Sequence, residues 1–228
     1  MKGEGMREQK VQSAYNKHSR LYNKAVGGEA RWARVFQRAV WGIDLADHDI
    51  EKSVLDCIPD DFNGRLLDVP VGTGMFTKHK YAVMKAADIT CLDYSQGMLD
   101  RAAEAYATTG ANVHLVQGDV ANLVFDDGYF DAILTMNGLP CFPEKTRSMD
   151  EILRVLKSGS DLIGCSFVKG ERILSNFVIG FIYTKIGYTT PPYQTAAELT
   201  AQLKPHFGSV RTWKMGALLG FECKGKTE

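Results

Sequence analysis

The sequence lacks the features that mark several broad classes of protein. Its five cysteines are scattered with no C-x-x-C pair, which excludes a disulfide framework and the usual structural zinc sites. The longest uncharged apolar run of interest, residues 177–183, is far shorter than the ~20 residues that a helix needs to cross a bilayer. Acidic and basic side chains number 27 each, so the chain has no basic excess of the kind that nucleic-acid-binding proteins carry. We therefore expect no metal, no membrane span and no nucleic-acid partner.

What is present is typical of one globular protein. The 228 residues suit a single domain over 1–228 with some elaboration, and 45% of them are hydrophobic. Residues 1–10 are polar and mixed in charge, with no apolar stretch suited to a signal peptide. We expect a cytoplasmic location, whereas the oligomeric state stays open.

From residue 65 onward, short apolar runs alternate with helical patterns. The runs predict parallel strands at 65–71, 87–94, 112–117, 130–136 and 162–168. Helices are predicted at 96–108 and at 148–159, where Gly159 would supply the stop. Residues 209–224 predict two antiparallel strands around Gly216. This order indicates an α/β fold, a doubly wound, mostly parallel, seven-stranded and Rossmann-like sheet.

Two segments do not belong to that alternation. Residues 1–57 predict an N-terminal helical lid, and residues 169–194 predict an apolar, aromatic insertion after the fifth strand. Both are expected to cover the carboxyl ends of the strands, where open α/β sheets bind ligands. The lid has two predicted helical faces, one with Tyr15, His18 and Tyr22 and the other with Trp32, Phe36 and Val40.

The most informative stretch is residues 66–74, which read Leu-Leu-Asp-Val-Pro-Val-Gly-Thr-Gly. A strand runs into a turn there, and Gly72 and Gly74 let a ligand approach the backbone closely. The helix that follows would offer free N–H groups to a carboxylate or a phosphate. Asp93 lies 19 residues after Gly74, at the end of the next strand, where a carboxylate can accept hydrogen bonds from ribose hydroxyls. Asp119 closes the third strand and places another acceptor at the same edge.

Together these motifs resemble the class I S-adenosylmethionine-dependent methyltransferases over about residues 65–168. The resemblance implies that S-adenosylmethionine is the cofactor and that the loop from Asp68 to Gly74 holds its methionine part. It further implies that Asp93 holds the ribose and that Asp119 contacts the adenine amino group. Pro70 departs from the commonest pattern, which has glycine there; proline fixes φ and removes one N–H. The full set of implied cofactor residues is Asp68, Pro70, Gly72, Gly74, Asp93, Tyr94, Met98, Asp119, Val120 and Asn137, with Tyr15 and Tyr22 from the lid.

The resemblance implies methyl transfer, and the aromatic insertion suggests a small, partly apolar acceptor, although ordinary packing explains the insertion equally well. A hydroxyl acceptor would need a base, and His18 is the first candidate, ahead of His48 and His206. Asn137 follows the fourth strand beside the expected methyl position. It either takes a direct part in catalysis or only satisfies the loop backbone. For a thiol, carbon or amine acceptor, the need for a base stays open.

Other functions compete with this interpretation. A nicotinamide-dependent reductase is rejected, because residues 72–77 lack the third glycine and because Tyr81 and Lys85, although suitably spaced, come too early in the strand order. A nucleic-acid or protein methyltransferase is disfavoured by the zero net charge. It is also disfavoured by residues 137–140, which read Asn-Gly-Leu-Pro rather than Asn-Pro-Pro-aromatic. A non-catalytic module that only binds S-adenosylmethionine stays open, as does a chemical role for Cys141 or Cys165.

Overall fold

A seven-stranded sheet runs through the part of the chain that the computed structural model describes, which is residue 13, residues 31–42 and residues 49–228. The strand order is β3-β2-β1-β4-β5-β7-β6; β1 to β5 are parallel, and β7 is antiparallel to both of its neighbours. The strands are β1 (Arg65–Asp68), β2 (Asp88–Asp93), β3 (His114–Gln117), β4 (Phe130–Met136), β5 (Leu156–Phe167), β6 (Phe207–Met215) and β7 (Leu218–Lys226). The predicted doubly wound, mostly parallel sheet is therefore confirmed.

The helices connect these strands. They are α1 (Arg31–Trp41), α2 (Asp49–Leu55), α3 (Lys78–Val83), α4 (Gln96–Ala107), α5 (Lys145–Val155), α6 (Ile173–Phe177), α7 (Thr184–Ile186) and α8 (Ala196–Leu203). A π-helical turn, Val178–Tyr183, joins α6 to α7, and 3₁₀ turns span Val120–Asn122 and Lys204–His206. Within these described residues, no helix has the length and apolar character to cross a membrane.

Successive residues of the central strands point to opposite faces of the sheet, and each face has its own apolar core. Leu66 and Leu134 belong to the core beneath α3 and α4, whereas Leu67 and Ile133 belong to the core beneath α5 and α8. All four side chains are fully buried. This is why the central strands read as continuous apolar runs: parallel strands covered on both faces have no solvent side.

The strand order reverses between β1 and β4. The chain passes from β1 through β2 to β3 on one side, and then crosses over to place β4 on the other side of β1. In open α/β sheets, ligands bind in the crevice at such a switch point, outside the carboxyl ends of the strands. The turn after β1 is therefore where the fold itself predicts a site.

The predicted helix at 148–159 is wrong at its end. The helix stops at Val155, and Leu156 already pairs with Phe130 as the first residue of β5. The register then shifts, so that Asp161 is the residue opposite Ala132. Gly159, with φ +82°, lies in the resulting bulge. Its left-handed backbone therefore serves an irregular strand and not a helix terminus.

The helical face predicted for Trp32, Phe36 and Val40 is only partly confirmed. Val40 is fully buried, but Phe36 is 44% exposed, and the side chain of Trp32 lies outside the described residues. Trp41 is buried instead: its carbonyl accepts from Ala217 N at 2.8 Å, and its ring meets Phe167 edge-on. These long-range contacts rotate α1 relative to the face that its local pattern favours. Closure of residues 1–57 over a ligand stays a prediction, and Tyr15, His18 and Tyr22 lie outside the described residues.

Gly164 in β5 supports a test of how tightly the sheet is packed. A methyl group there would overlap the Thr135 carbonyl oxygen and lie 2.9 Å from Cζ of Phe221. We expect Gly164→Ala to lower the free energy of unfolding by about 1–3 kcal/mol, measured by denaturant titration, because the strand neighbours have no room to move. The control is Gly208→Ala in β6, where the nearest atom would lie 3.6 Å away. An equal loss in both variants would contradict the proposed overlap.

Candidate functional site

The turn after β1 is held by two strands at once. Val69 N donates to the Leu134 carbonyl of β4 at 3.0 Å, and Val71 N donates to the Leu92 carbonyl of β2 at 2.9 Å. Pro70 stands between these two donors, so its missing N–H leaves no strand bond unmade. Its ring lies against Gly138, where a Cβ atom would overlap the proline Cδ. The turn therefore accommodates the proline that the family pattern does not favour.

Both glycines of the turn have left-handed backbones, with φ +59° at Gly72 and φ +67° at Gly74. A side chain at Gly72 would meet no atom within 4 Å, so the outer side of the turn is open. A side chain at Gly74 would lie 3.0 Å from the ring of Tyr106, which packs beneath the turn. Gly72 thus leaves space for a ligand, and Gly74 allows the turn to lie on α4.

Asp93 connects the turn to the end of β2. Its side chain is 7% exposed; Oδ2 accepts from Gly72 N and Oδ1 accepts from Ser95 N, both at 2.9 Å. Burial raises the pKa of Asp93 to about 6, and these backbone donors oppose the shift. A carboxylate has about four acceptor positions, so Asp93 keeps capacity for the hydroxyls of a ligand. Ser95 in turn caps α4 by accepting from Met98 N at 3.2 Å.

Asp68 lies deeper, at the last position of β1. Its Oδ2 accepts from the Tyr81 hydroxyl at 3.0 Å, whereas Oδ1 is buried without a hydrogen-bond partner among the described residues. Burial raises the pKa of Asp68 to about 7, the Tyr81 hydroxyl opposes the shift, and the charge of Asp93 adds to it. An unpaired buried oxygen calls for an explanation. A ligand that brings an amino group or an ordered water to this turn would provide the missing donor.

The polar layer beneath the turn includes residues that the sequence did not reveal. The rings of Tyr81 and Tyr106 stack with centroids 5.9 Å apart, and Thr77 Oγ1 lies 2.7 Å from the Tyr106 hydroxyl. In the sequence, Tyr81 stands out only by its spacing to Lys85, which is exposed in the structure. The available signal was the i, i+4 spacing of Thr77 and Tyr81, which places both on the buried side of α3.

Asp119 reaches the same edge from β3. Gly118 N donates to the Asp93 carbonyl at 3.1 Å, which places the ends of β2 and β3 side by side. Asp119 Oδ1 accepts from Ala121 N at 2.9 Å and so caps the short 3₁₀ turn that Val120 begins. Tyr94 is half-buried nearby, and Met98 is buried in the first turn of α4. The structure thus brings the predicted residues together, while their contacts with a cofactor stay predictions.

Asn137 joins the end of β4 to the end of β5 through two hydrogen bonds. Its backbone is left-handed, with φ +58°; its N–H donates to the Cys165 carbonyl and its Oδ1 accepts from Phe167 N, both at 2.8 Å. The Asn137 side chain thus satisfies a backbone N–H of β5, and a direct role in catalysis stays a prediction. Cys165 is fully buried, and burial raises the pKa of its thiol to about 12, which leaves it a poor nucleophile. Cys141 is half-buried in the loop that follows.

A lysine that the sequence analysis did not identify organises this loop. Lys145 Nζ donates to the carbonyls of Leu139, Pro140 and Phe142 at 2.9, 3.2 and 3.2 Å, and to Thr190 Oγ1 at 3.2 Å. Thr190 N donates to the Pro140 carbonyl at 2.8 Å. Burial lowers the pKa of Lys145 to about 8. Lys145 and Thr190 therefore join the loop after β4 to the end of the insertion. No local sequence pattern predicts these contacts.

Of the three histidines proposed as bases, the structure describes His206, and this residue lies away from the site. His206 ends the 3₁₀ turn before β6, where Phe207 pairs with Lys226 and the Lys226 ammonium donates to the Leu156 carbonyl at 2.8 Å. Leu156 begins β5, so His206 lies at the amino edge of the sheet, opposite the site. The prediction that His206 could act as the base is wrong, because β6 runs in the same direction as β5 and begins at the amino edge of the sheet, away from the site. His18 and His48 lie outside the described residues.

A parallel sheet with a glycine turn after β1 and carboxylates after β2 and β3 defines a class of α/β proteins that bind nucleosides at the switch point. Residues 66–159 match the model of a family described as a methyltransferase domain. A demethylmenaquinone methyltransferase of Clavibacter sepedonicus is 31% identical over 157 residues, which are 69% of this chain and 55% of that protein. The chain belongs to the class I S-adenosylmethionine-dependent methyltransferases, and its cofactor is S-adenosylmethionine.

Solved structures share the fold over nearly the whole chain. The [4+2]-cyclase SpnF superposes with a TM-score of 0.73 at 20% identity, covering 97% of each chain. A possible histamine N-methyltransferase from Thermotoga maritima gives 0.65 at 20% identity, covering 95% of this chain and 100% of that one. At such identity the likeness concerns the fold alone. The chain spans about half the length of the curated relatives it matches.

The buried carboxyl of Asp68 predicts a pH dependence of stability. Its folded pKa of about 7 exceeds its unfolded value, so the folded state holds the proton more tightly. The resulting stabilisation is present below pH 4 and is lost as the pH rises through 7. We expect Asp68→Asn to gain stability relative to the wild type between pH 5 and pH 8, by up to about 4 kcal/mol, in thermal denaturation. The control is Asp150→Asn, at an exposed carboxylate. A stability difference between Asp68→Asn and the wild type that does not change with pH would contradict the raised pKa of Asp68.

Lys145 predicts a structural loss on substitution. Lys145→Met removes the donor that three carbonyls share, and we expect the free energy of unfolding to fall by about 1–3 kcal/mol in denaturant titration. Exposed Lys204→Met is the matched control, with an expected change below about 0.5 kcal/mol. Equal effects in the two variants would show that the ammonium does not hold the loop.

Proposed function

We propose that this chain transfers a methyl group from S-adenosylmethionine to a small, partly apolar acceptor. The observation that carries the proposal is the contrast between the two sides of the crevice. The side formed by β1, β2 and β3 presents carboxylates at the strand ends, in Asp68, Asp93 and Asp119. The side formed by the loop after β4 and by the end of the insertion, around Tyr193, is apolar and aromatic. The first suits a nucleoside with an amino acid attached, and the second suits an acceptor with little charge.

Several side chains give the acceptor side its character. Leu139 and Phe142 are buried in the loop after β4, and Phe167 ends β5 beside it. Tyr193, from the end of the insertion, meets the Phe167 ring edge-on with centroids 5.7 Å apart. The Lys145 ammonium, from the first residue of α5, is turned inward onto backbone carbonyls of this loop, and Glu144 at the end of the loop is paired with Arg147. A flat, weakly polar ring would fit such surroundings better than a phosphate or a charged peptide.

The chemistry asks the protein mainly for positioning. When bound, the cofactor supplies an electrophilic methyl group on a sulfonium. The residues from Asp68 to Gly74, with Asp93 and Asp119, would hold the cofactor. A nucleophilic acceptor atom would receive the methyl group, S-adenosylhomocysteine would be the leaving group, and the proton displaced at the acceptor would go to solvent or to a base. His18 stays our candidate for that base. Holding the two reactants in line and excluding water contributes on the order of 7–11 kcal/mol when the alignment is good.

A quinol ring is the first acceptor to test. The relative from Clavibacter sepedonicus is named for methylation of demethylmenaquinone, and related proteins are named quinone C-methyltransferases. A ring carbon next to a phenolic oxygen is nucleophilic, and the ring itself is apolar. Because the chain spans only about half the length of such relatives, this substrate class is an inference from chemistry and likeness together.

The experiment is a transfer assay with methyl-labelled S-adenosylmethionine and a reduced naphthoquinol. We expect a product heavier by one methyl group, detected by mass spectrometry, together with S-adenosylhomocysteine. Parallel assays offer DNA and a protein extract as acceptors. Label on either of these alone would overturn the small-molecule proposal. Tight cofactor binding without transfer to any acceptor class would favour the non-catalytic binding module.

Asp93 predicts the strength of cofactor binding. We expect Asp93→Ala to weaken binding of S-adenosylmethionine in calorimetry by about 10- to 100-fold, because a charged hydrogen-bond partner is worth about 1.5–3 kcal/mol. The matched control is Asp88→Ala at the start of β2, an exposed carboxylate at the opposite edge of the sheet. NAD should not bind to the wild type. Normal binding by Asp93→Ala would show that the ribose assignment is wrong.

A further inference from the structure

Exposed apolar side chains are concentrated on two neighbouring segments. Among the described residues, ten large hydrophobic side chains are exposed, and eight of them lie on α1 or on the helical stretch 173–186. These eight are Val35, Phe36, Ile173, Leu174, Phe177, Phe181, Ile182 and Ile186. The other two, Val83 and Val124, are single residues elsewhere in the fold. An exposed apolar surface of this extent marks a site of interaction.

The stretch 173–186 separates a buried side from an exposed side. Val178 and Ile179 are buried in the core, whereas Ile173, Phe177 and Phe181 are 89%, 57% and 59% exposed. The rings of Phe177 and Phe181, one helical turn apart, stack with centroids 5.7 Å apart. Two adjacent aromatic rings are thus presented together on the outer face.

The two segments are in contact with each other. The Ser175 hydroxyl donates to the Val40 carbonyl, and the Arg172 guanidinium donates to the Ala39 carbonyl at 3.2 Å. Val40 and Val178 share one apolar core. We call α1 together with residues 172–186 the docking surface.

The docking surface has charge of one sign only. Residues 31–42 contain three arginines and no acid, and residues 172–186 contain Arg172, Lys185 and no acid; the flanking Glu171 is paired with Lys214. The chain as a whole has 27 basic and 27 acidic residues, so this imbalance is local. Exposed aromatic and aliphatic side chains accompanied only by basic residues are typical of helices that lie in the interface of an anionic membrane.

The docking surface is connected to the acceptor side of the site. The insertion begins just after β5, at the carboxyl edge of the sheet, and Thr190 ties its end to Pro140 in the loop after β4. We propose that the docking surface binds the interface of an anionic lipid bilayer, with Phe177 and Phe181 inserted among the acyl chains. The exposed Lys185 would contact the lipid headgroups. This membrane binding goes beyond methyl transfer and does not depend on which acceptor is used.

A second copy of the chain is the main competing occupant. Pairing two identical docking surfaces about a two-fold axis would bury the apolar rings, but it would also bring basic groups of both copies together. Like charges opposed across an interface are unfavourable. An anionic lipid surface provides apolar and negatively charged groups at once, so it matches both properties of the docking surface.

The test is co-sedimentation of the full chain with vesicles of phosphatidylcholine, with and without phosphatidylglycerol. We expect binding to the anionic vesicles that is at least about tenfold tighter than to the neutral ones and that weakens with salt. The double variant Phe177→Gln/Phe181→Gln should lose at least about tenfold in binding. The control, Val83→Gln/Val124→Gln, removes two exposed apolar side chains elsewhere in the fold and should bind as the wild type does.

Several results would overturn the proposal of membrane binding, and they can be told apart. Failure of the wild type to bind anionic vesicles, or an equal loss in the control variant, would overturn the proposal. A concentration-dependent dimer in light scattering that the phenylalanine variant abolishes, without vesicle binding, would identify a second copy as the occupant and overturn it as well. Transfer to a water-soluble quinol should be the same in the phenylalanine variant and the wild type. Vesicle binding without such transfer would separate a failure of the proposed function from a failure of this inference.

Discussion

The carboxylate of Asp93 is the group on which the cofactor side of the site depends. Its two oxygens accept from Gly72 N and Ser95 N, so one side chain joins the glycine turn, the end of β2 and the start of α4. These bonds fix the turn in the left-handed backbone that Gly72 permits. The price is the burial of a charge, visible as a pKa raised to about 6. The position of the turn and the predicted contact with the ribose therefore depend on the same residue.

Beneath the turn, a second buried carboxylate, that of Asp68, also takes part in a hydrogen-bond network. Asp68 is held by Tyr81, and Tyr81 stacks on Tyr106, which in turn lies under Gly74. A polar network inside an apolar core is rigid when it is satisfied and costly when it is not. The unpaired oxygen of Asp68 is the part of this network left for a ligand to complete. The geometry thus fits a cofactor with an amino group, as the family implies.

The proposed acceptor side is held together by a different kind of interaction. Here backbone carbonyls of the loop after β4 converge on the Lys145 ammonium, and Thr190 joins the insertion to that loop. The insertion carries apolar groups on both its faces, one packed on the core and one exposed with basic neighbours. A crevice with carboxylates on one side and aromatic groups on the other suits two ligands of different polarity. The outer face of the insertion adds a means of bringing the enzyme to a lipid surface.

The sequence by itself determined the strand positions, the sheet type and the residues after β1, β2 and β3, because buried parallel strands and glycine turns leave local patterns. The tertiary structure alone decided where α5 ends, since the pairing of Leu156 with Phe130 overrides the stop expected at Gly159. It also decided that Tyr81 supports Asp68, that Lys145 organises the loop after β4 and that Phe36 is partly exposed. These features depend on contacts between residues that are distant in the chain. A local sequence pattern cannot predict them, because it contains no information about a distant partner.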